Sequence, residues 1–349
     1  MSGISRDDAN IEPLSVSGAL SPSGWEVDEV DLISNDWLRF AAAVTSVALG
    51  LLVAVVASQK AVSHTVDLAV GTRLPRFVIG FTLLGIGTDL PEIANSVVSS
   101  LTGHGDLNVG DSVGSAATQV TLILGLLPII GSATFPISRR RLSRVGLVTV
   151  GALLMGVALM QDGFISRLDA LLLLGAWGLG TALTWGPPPV GAQLDLQLGA
   201  AEKLKKTAII VGSLVLVGGG AILAVWGMTV IAEALSIPEY LIAFFVAAIG
   251  TSLPELVVTV TALRQGQLDL AIGDAVGSSF ADSTLSVAAG PLIAPVAVTA
   301  SFVIPGSLVT AAVVTFVVGL LVFRGRHDWK SGLVMIAVYS GFYALAISL

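Results

Sequence analysis

The stretch GIGTDLPEIANSVV (Gly85–Val98) decides the fold, because the chain carries a second version of it, AIGTSLPELVVTVT (Ala248–Thr261). The first copy is followed by GDSVGSAATQ (Gly110–Gln119) and the second, at the same distance, by GDAVGSSFAD (Gly273–Asp282). Every matched pair is offset by 163 residues, and 17 of the 41 positions in a window covering both motifs are identical. Chance does not preserve a gapless register over such a length, so the chain contains an internal repeat.

The composition is that of a membrane protein. Hydrophobic residues make up 54% of the chain, charged residues only 12%, and the mean hydropathy is +0.90, too apolar for a soluble domain of this size. The absence of cysteine excludes disulfides and thiolate metal sites. The sequence has no P-loop and no motif of a soluble enzyme, so we expect neither ATP-driven pumping nor enzymatic activity. The basic run SRRRLSR (138–144) favours contact with anionic lipid and gives no indication of a nucleic-acid partner.

Counting about 20 apolar residues per span, we predict an all-α polytopic membrane protein with ten transmembrane helices in two inverted five-helix repeats. The predicted helices cover roughly 37–58, 75–101, 107–131, 143–161, 166–186, 206–232, 239–263, 268–295, 301–323 and 331–349. The first repeat is predicted over 37–186 and the second over 206–349, with a cytoplasmic linker at 187–205.

An acidic tail, residues 1–36, precedes the first predicted helix. It holds eight acidic side chains and one basic one, which predicts a disordered or interfacial segment. It has neither the basic region nor the apolar region of a signal peptide.

The basic residues predict the orientation. If the N-terminus lies outside, 14 of the 17 Lys and Arg residues fall in cytoplasmic loops, as the positive-inside rule requires. We therefore expect a multi-pass protein of the plasma membrane with both termini outside the cell. Because five helices is an odd number, the second repeat enters the membrane in the opposite direction to the first. Such inverted repeats are typical of transporters that hold their substrate at mid-depth, where the halves meet.

Each copy of the motif places a glutamate, Glu92 or Glu255, inside an apolar span. A carboxylate at that depth is costly and indicates a functional role. Thr88 and Thr251 stand four residues before these glutamates, so each pair shares one helix face. Asp89 lies close to the same face of the first copy.

The following helices add further oxygen donors with the same spacing. Ser115 and Gln119 are four residues apart, as are Ser278 and Asp282. All of these candidate groups offer oxygen, and none offers sulfur or imidazole. Oxygen-only ligation suits Ca²⁺ and Na⁺ and argues against zinc or copper.

Two prolines are predicted to free additional oxygens. Pro91 and Pro254 have no N–H, so the carbonyls of Gly87 and Gly250, four residues earlier, lose their helical partners. Freed carbonyls at membrane depth are tolerated only inside protein or along a water-filled cavity. There they can contribute to a cation site.

The remaining polar residues leave alternatives open. Asp111 and Asp274 are candidate ligands, supporting or entrance groups, or carboxylates at a helix N-terminus near the membrane interface. His64, His104 and His327 fall in predicted loops, and nothing in their spacing pairs them into a site.

The doubled GTxLPE and GxxVGS motifs resemble the α-repeats of the cation/Ca²⁺ exchanger superfamily, and those of its sodium/calcium exchanger branch in particular. The resemblance covers almost the whole chain after residue 36. It implies antiport by alternating access, in which cytoplasmic Ca²⁺ leaves as Na⁺ enters, with no cofactor and no obligatory protein partner. By resemblance, the ion ligands are Thr88, Glu92, Ser115, Thr251, Ser252, Glu255, Ser278 and Asp282, with backbone carbonyls near Gly85 and Ala248.

The chain departs from the family pattern at two positions. Asp89 stands where the family usually has serine, as Ser252 does in the second copy, and Gln119 stands where asparagine is common. The longer amide shifts geometry more than chemistry. The extra carboxylate at Asp89 raises the number of acidic groups around one divalent ion to four.

Four carboxylates in one site leave the coupling ion open. Like charges that close cannot all ionise cheaply, so we expect at least one to be protonated in some states. Proton coupling is therefore an alternative to sodium coupling, and potassium co-transport is another. An ion channel built from the same helices is a less favoured alternative, because the polar residues lie at an internal repeat interface instead of around a pore axis.

Overall fold

Helices make up nearly all the regular structure of the computed structural model, which describes residues 36–69, 85–131, 134–184, 199–264, 266 and 268–347. The acidic tail, apart from residue 36, and residues 187–198 of the predicted linker lie outside the described residues. The helices of the first half are α1 (Asp36–Ala69), α2 (Gly85–Thr88), α3 (Leu90–Thr102), α4 (Gly105–Thr118), α5 (Leu124–Ile130), α6 (Arg139–Leu159) and α7 (Arg167–Thr184). Those of the second half are α8 (Ala200–Leu235), α9 (Glu239–Ile242), α10 (Ala248–Thr251), α11 (Leu253–Arg264), α12 (Leu268–Ala281), α13 (Val287–Ile293), α14 (Ala300–Arg324) and α15 (Trp329–Ile347).

Six stretches of the described chain are helical, long and apolar enough to cross a membrane. They are Asp36–Lys60, Gly105–Ile130, Arg139–Leu159, Leu204–Leu235, Glu239–Arg264 and Ala300–Arg324. The chain is therefore a mostly helical membrane protein, and the count of ten helices stays a prediction. The loop assignment of His64 is wrong, because α1 continues through Ala69. Helix α8 begins at Ala200, six residues before the predicted start at 206.

Exposed and buried faces are distributed as a membrane requires. The outer sides of α1 and α8 expose large apolar side chains such as Leu52 and Val215, which is the surface that lipid tails favour. Helix α4 is the opposite case, because every one of its residues except Asp106 is buried. This helix carries Ser115 and leads directly to Gln119, so the sequence motif lies at the centre of the molecule.

Two helices that the sequence predicts as continuous are interrupted at equivalent positions. Asp89 separates α2 from α3, with φ −73° and ψ 6°, and Ser252 separates α10 from α11, with φ −78° and ψ 5°. Pro91 and Pro254 follow each break by two residues and cannot donate the helical hydrogen bond that would bridge it. The breaks expose backbone groups beside the glutamates of both copies.

Three π-helical segments interrupt other helices. Gln119–Ile123 joins α4 to α5, Asp282–Ser286 joins α12 to α13, and Ala243–Ala247 joins α9 to α10. The first two have the same 163-residue offset as the sequence motifs, and each begins at a candidate ligand. Such segments are rare and are found mostly at functional sites. The equivalent of the third, residues 80–84, lies outside the described residues.

Two short antiparallel ribbons connect the halves of the chain. Strand β1 (Phe135–Pro136) pairs with β4 (Arg326–His327), and β2 (Phe164–Ile165) pairs with β3 (Val296–Ala297). The strands β1 and β2 flank the two ends of the 21-residue helix α6. One ribbon therefore joins the halves at each end of this helix, about 30 Å apart.

Helices α1 and α8 cross at very short range through two glycines. A Cβ atom on Gly50 would lie 2.5 Å from the carbonyl oxygen of Gly220, and a Cβ atom on Gly220 would lie 2.5 Å from that of Gly50. Any larger residue would push the backbones apart. Small residues at a crossing let transmembrane helices approach closely.

A second pair of prolines, Pro128 and Pro291, also frees carbonyl groups, and each freed group is bonded by the other half of the chain. Pro128 frees the carbonyl of Leu124, which accepts a hydrogen bond from His327 Nε2 at 2.8 Å. Pro291 frees the carbonyl of Val287, which accepts one from the Asn108 side-chain amide at 3.0 Å. Because water does not reach these positions, a side chain must satisfy the backbone acceptor.

The Asn108 bond gives a stability prediction. In Asn108→Leu the Val287 carbonyl loses its donor, and we expect a loss of about 1–3 kcal/mol in the free energy of unfolding. In a Pro291→Ala background the residue at 291 supplies a backbone N–H to the same carbonyl, so Asn108→Leu should cost less there. Thermal unfolding of the four proteins of this double-mutant cycle in detergent measures the difference. Equal costs in the two backgrounds would show that the bond contributes nothing.

Candidate functional site

The two copies of the motif meet at a shared cluster of hydroxyl groups. Ser115 of the first copy has its Oγ 3.3 Å from Thr251 Oγ1 of the second and donates to Glu92 Oε1 at 3.4 Å. Thr88 Oγ1 lies 3.2 Å from Ser278 Oγ, again across the copies. The structure therefore brings these five candidate ligands together from both halves of the chain.

Backbone oxygens at the helix breaks contribute to the same region. The Ala248 carbonyl accepts a hydrogen bond from Ser115 Oγ at 3.4 Å, so it faces the cluster. The carbonyl of Gly87 accepts a bond from Ser58 Oγ of α1 at 3.1 Å, and that of Gly250 accepts a backbone N–H at the break. Both freed glycine carbonyls thus already have one partner, which limits their expected role as cation ligands. Gly85 begins α2.

Four carboxylates lie in this region, and all are fully buried. Glu92, Glu255 and Asp282 have no exposed surface, and neither has Asp89. Asp89 lies close to Asp282, Glu255 and Glu92. Asp89 and Asp282 have no acidic counterpart at the equivalent position of the other copy, and yet they face each other.

Most oxygen atoms of these carboxylates have no hydrogen-bond partner within the protein. This holds for both oxygens of Asp89, Glu255 and Asp282 and for Oε2 of Glu92. The Ser252 hydroxyl and the Gln119 amide are also buried without a hydrogen bond of normal geometry, and the Gln119 side chain lies next to Asp282. Buried polar atoms are almost always paired, so such a concentration of free oxygens points to a missing cationic or protonic partner.

The two aspartates with open assignments lie in the middle of helices, Asp111 in α4 and Asp274 in α12. Asp111 accepts hydrogen bonds from Asn95 Nδ2 at 2.7 Å and from Thr251 Oγ1 at 2.9 Å. Asp274 accepts one from Thr259 Oγ1 at 2.7 Å. Both side chains are fully buried, so the interpretation as helix N-terminal groups is wrong. They lie beside the cluster.

The chemistry available here is that of hard oxygen donors. Among the fully buried side chains that the structure describes there is no Lys or Arg to offset the carboxylates. In the described chain no three His, Cys, Asp or Glu groups converge at metal-binding distance. A cation at this site would therefore be held by a mixture of carboxylate, hydroxyl and carbonyl oxygens, as Ca²⁺ and Na⁺ accept.

The comparisons with known proteins agree with this chemistry. The profile of the sodium/calcium exchanger protein family matches residues 42–186 and 205–348. The chain belongs to this family. The putative antiporter CaxA of Alkalimonas amylolytica is 30% identical over 260 residues, which cover 71% of this chain and 80% of that protein. The sodium/calcium exchanger MaX1 of Methanosarcina acetivorans is 26% identical over 294 residues, which cover 72% of this chain and 83% of that protein.

A solved structure shows the same fold. The sodium–calcium exchanger NCX_Mj, soaked with 10 mM Na⁺ and zero Ca²⁺, superposes with a TM-score of 0.60 at 25% identity. The match covers 88% of this chain and 99% of that one. The predictions that the exchanger is an ion-transporting membrane protein and that it is not an enzyme are confirmed by its family and by these neighbours.

The repeated sequence motifs do not identify several residues that shape the site. Asn95 and Ser58 bond to the site's carboxylate and backbone groups, but Ser58 lies outside the repeated motifs and Asn95 has no polar counterpart in the second copy. Asn95 stands opposite Val258 in the second copy, so a search for matching polar pairs passes over it. The need for donors such as Asn108 and His327 could have been predicted from the sequence. Pro128 and Pro291 share the 163-residue offset, and each frees a helical carbonyl.

An ion pair links the two halves of the exchanger beside the short turn between α3 and α4. His104 Nδ1 lies 2.8 Å from Glu239 Oε1 at the start of α9, and about a third of each side chain is exposed. The hydrogen bond with Glu239 raises the pKa of His104, the charges of Glu239 and Glu233 raise it further, and partial burial opposes this. The pair is the only described contact of a histidine with an acidic side chain from the opposite half of the chain.

This pair predicts a pH dependence of stability. Because the pKa of His104 is higher in the folded protein than its ordinary value near 6.5, its stabilising effect is complete below about pH 6.5 and is lost as the pH rises through the raised value. The difference in unfolding temperature between the wild type and His104→Gln should therefore shrink between pH 5.5 and pH 9. Glu239→Gln should abolish the same dependence, and a constant difference across this range would contradict the assignment.

Proposed function

We propose that the protein is a secondary antiporter that exchanges Ca²⁺ for Na⁺ by alternating access and exports Ca²⁺ from the cell. The observation that carries the proposal is the group of four buried carboxylates, contributed by both halves, whose free oxygens lack any buried basic partner among the described residues. The names of the relatives and of the solved structure support the same ions. An inward Na⁺ gradient makes export of Ca²⁺ the expected direction.

The proposed ion site consists of the twelve predicted residues. Glu92 and Glu255 are the central Ca²⁺ ligands, supported by Asp282 and Asp89. The hydroxyl, amide and backbone oxygens complete the Ca²⁺ and Na⁺ positions. These come from Thr88, Thr251, Ser252, Ser115, Ser278, Gln119, Gly85 and Ala248. Resident cofactors play no part in this proposal, since the ions are the transported substrates.

The proposed architecture is ten transmembrane helices in two inverted five-helix repeats, at the plasma membrane, with both termini outside. The β-ribbons support this arrangement. The loops joined by β1 and β4 are both predicted to be cytoplasmic, and the loops joined by β2 and β3 are both predicted to be external. The repeated helix breaks and π-helical segments, at the same offset as the sequence motifs, also support it.

The proposed mechanism follows from charge. With Ca²⁺ or several Na⁺ bound, the carboxylates are offset and the loaded site can change its access. Without them the negative cluster is costly in an apolar surrounding, so the empty protein rearranges slowly and exchange is favoured over leak. Helices α1 and α8, joined by the Gly50–Gly220 crossing, are the proposed moving unit. They contribute no carboxylate to the cluster and pack against its outer side.

The first test is calcium flux in sealed proteoliposomes. Wild-type protein should take up radioactive Ca²⁺ when an outward Na⁺ gradient is imposed, and Glu255→Gln should reduce the uptake by about 10²-fold or more. A loss of that size is expected when one member of a buried charged site is removed. Glu202→Gln provides the matched control, because it removes a carboxylate from the exposed first turn of α8.

Glu202→Gln should transport like the wild type, and both variants should show normal monodispersity in detergent. Retained exchange in Glu255→Gln would contradict the site. A steady Ca²⁺ current that needs no counter-ion would instead indicate a channel.

Proton coupling is the second candidate, favoured by one observation. Asp89 adds a carboxylate that faces Asp282, Glu255 and Glu92, where the second copy has Ser252. In such a cluster a proton can take the place of a cation as the compensating charge. Ca²⁺ uptake into the same proteoliposomes should therefore also be measured with an H⁺ gradient alone.

We expect Na⁺ to drive uptake in the wild type, with Asp89 tuning the site. Asp89→Ser should preserve uptake driven by the Na⁺ gradient and weaken any uptake driven by an H⁺ gradient. The measurement is initial Ca²⁺ uptake under each gradient separately, in wild type and variant, with Asp89→Asn as the isosteric control. Uptake driven by H⁺ alone, and lost in Asp89→Ser, would replace sodium coupling by proton coupling.

A further inference from the structure

Asp111 differs from the other buried carboxylates of the site in one respect. Both of its oxygens are hydrogen-bonded, Oδ2 by Asn95 and Oδ1 by Thr251. Glu92 and Asp274 each keep one oxygen without a partner, and the remaining site carboxylates keep two. Each oxygen of Asp111 thus already accepts one hydrogen bond from the protein, whereas the other carboxylates keep at least one oxygen without a partner.

The two side chains that donate hydrogen bonds to Asp111 come from two other helices. Asn95 lies on α3, the helix of Glu92, and Thr251 ends α10, directly before the break at Ser252. Asp111 lies on the buried helix α4, between them in space. Bonds to an ionised carboxylate are shorter and stronger than neutral ones, and the 2.7 Å bond from Asn95 has such a length. One side chain therefore ties both site helices to the centre of the molecule.

The polarity of these bonds fixes the direction of the Thr251 hydroxyl. When Asp111 is ionised it only accepts, so the Thr251 hydrogen points at Asp111, and the charged oxygen at 2.9 Å is favoured over the neutral Ala247 carbonyl at 3.0 Å. The lone pairs of Thr251 Oγ1 are then turned toward Ser115 Oγ, 3.3 Å away within the cluster. A ligand oxygen with its hydrogen held elsewhere is ready to accept a cation.

We propose that Asp111 is a positioning residue, which orients the Thr251 hydroxyl toward the ion site and holds α3 and α10 on α4. This inference rests on the proposed function, because it assigns a role within the same cation site. Asp274, at the equivalent position of the second copy, is bonded only by Thr259, which is outside the proposed ligand set. The roles of the two aspartates therefore differ.

The test swaps the carboxylate at position 111 and the amide at position 95, whose side chains are hydrogen-bonded to each other. In Asp111→Asn one of the two acceptor atoms becomes a donor, which either faces the Asn95 amide donor or reverses the hydrogen bond with the Thr251 hydroxyl. In the double variant Asn95→Asp/Asp111→Asn the amide at 111 can donate to the carboxylate at 95 and keep its carbonyl oxygen for Thr251. The net charge of the double variant equals that of the wild type.

Ca²⁺ uptake into proteoliposomes should show a rise in KM of about tenfold for Asp111→Asn, the size of one lost charged hydrogen bond. The maximal rate should fall less. The double variant should recover most of the affinity, and Asp111→Asn should add no further rise in a Thr251→Val background. Asp274→Asn is the matched control, since it also removes a buried carboxylate that interacts with Glu255, and its KM should change less.

Equal KM changes in Asp111→Asn and Asp274→Asn, or no recovery in the folded double variant, would overturn the inference and leave Asp111 acting through charge alone. The Ca²⁺-induced shift of the unfolding temperature gives a readout that needs no transport. A wild type that neither transports Ca²⁺ nor is stabilised by it overturns the proposed function and this inference together. A wild type that does both, with Asp111→Asn unchanged, overturns this inference alone.

Discussion

The structure depends on carboxylates that are buried in apolar helices without a buried basic partner among the described residues. Six of them, Asp89, Glu92, Asp111, Glu255, Asp274 and Asp282, have no exposed surface. Two unit charges 4 Å apart interact by about 4 kcal/mol at an effective dielectric constant near 20. Several like charges in one cluster therefore cost more than a protein of ordinary stability has in reserve. Cations or protons must offset them, so binding and conformational change are linked by electrostatics before any particular ligand geometry is considered.

The second constraint is the backbone. Four prolines at 91, 128, 254 and 291 each remove a helical hydrogen bond inside the membrane, where no water can replace it. The freed carbonyls are partnered by Ser58, by His327, by a backbone N–H at the Ser252 break and by Asn108. Three of these four partners are side chains from other elements of the fold. The interruptions that expose site oxygens are therefore stabilised by tertiary contacts, and the helices cannot be understood one at a time.

The sequence was sufficient for the parts of the site that depend on local spacing. The doubled motif predicts that Glu92 and Glu255, with their threonines and the following serines, gather at one place, and Ser115 does contact Glu92 and Thr251. It could not predict the one-residue breaks or the π-helical segments, since these depend on how neighbouring helices supply partners for the backbone. The role of Asp111 was open for the same reason. Its two donors are Asn95, with no counterpart in the repeat, and Thr251, which is distant in sequence.

The two copies share their helix breaks and two π-helical segments, but their polar side chains differ. Identical inverted halves would give inward-facing and outward-facing states of equal energy, so each unmatched side chain biases one state. In the repeat, Asp89 is aligned with Ser252 and Gln119 with Asp282. Each half nevertheless contributes three of the six buried carboxylates. The asymmetry thus redistributes charge between the halves without changing its total. In the proposed antiport mechanism, this conserves the charge that the transported cations offset, and it lets the two access states differ in how well they hold a particular ion.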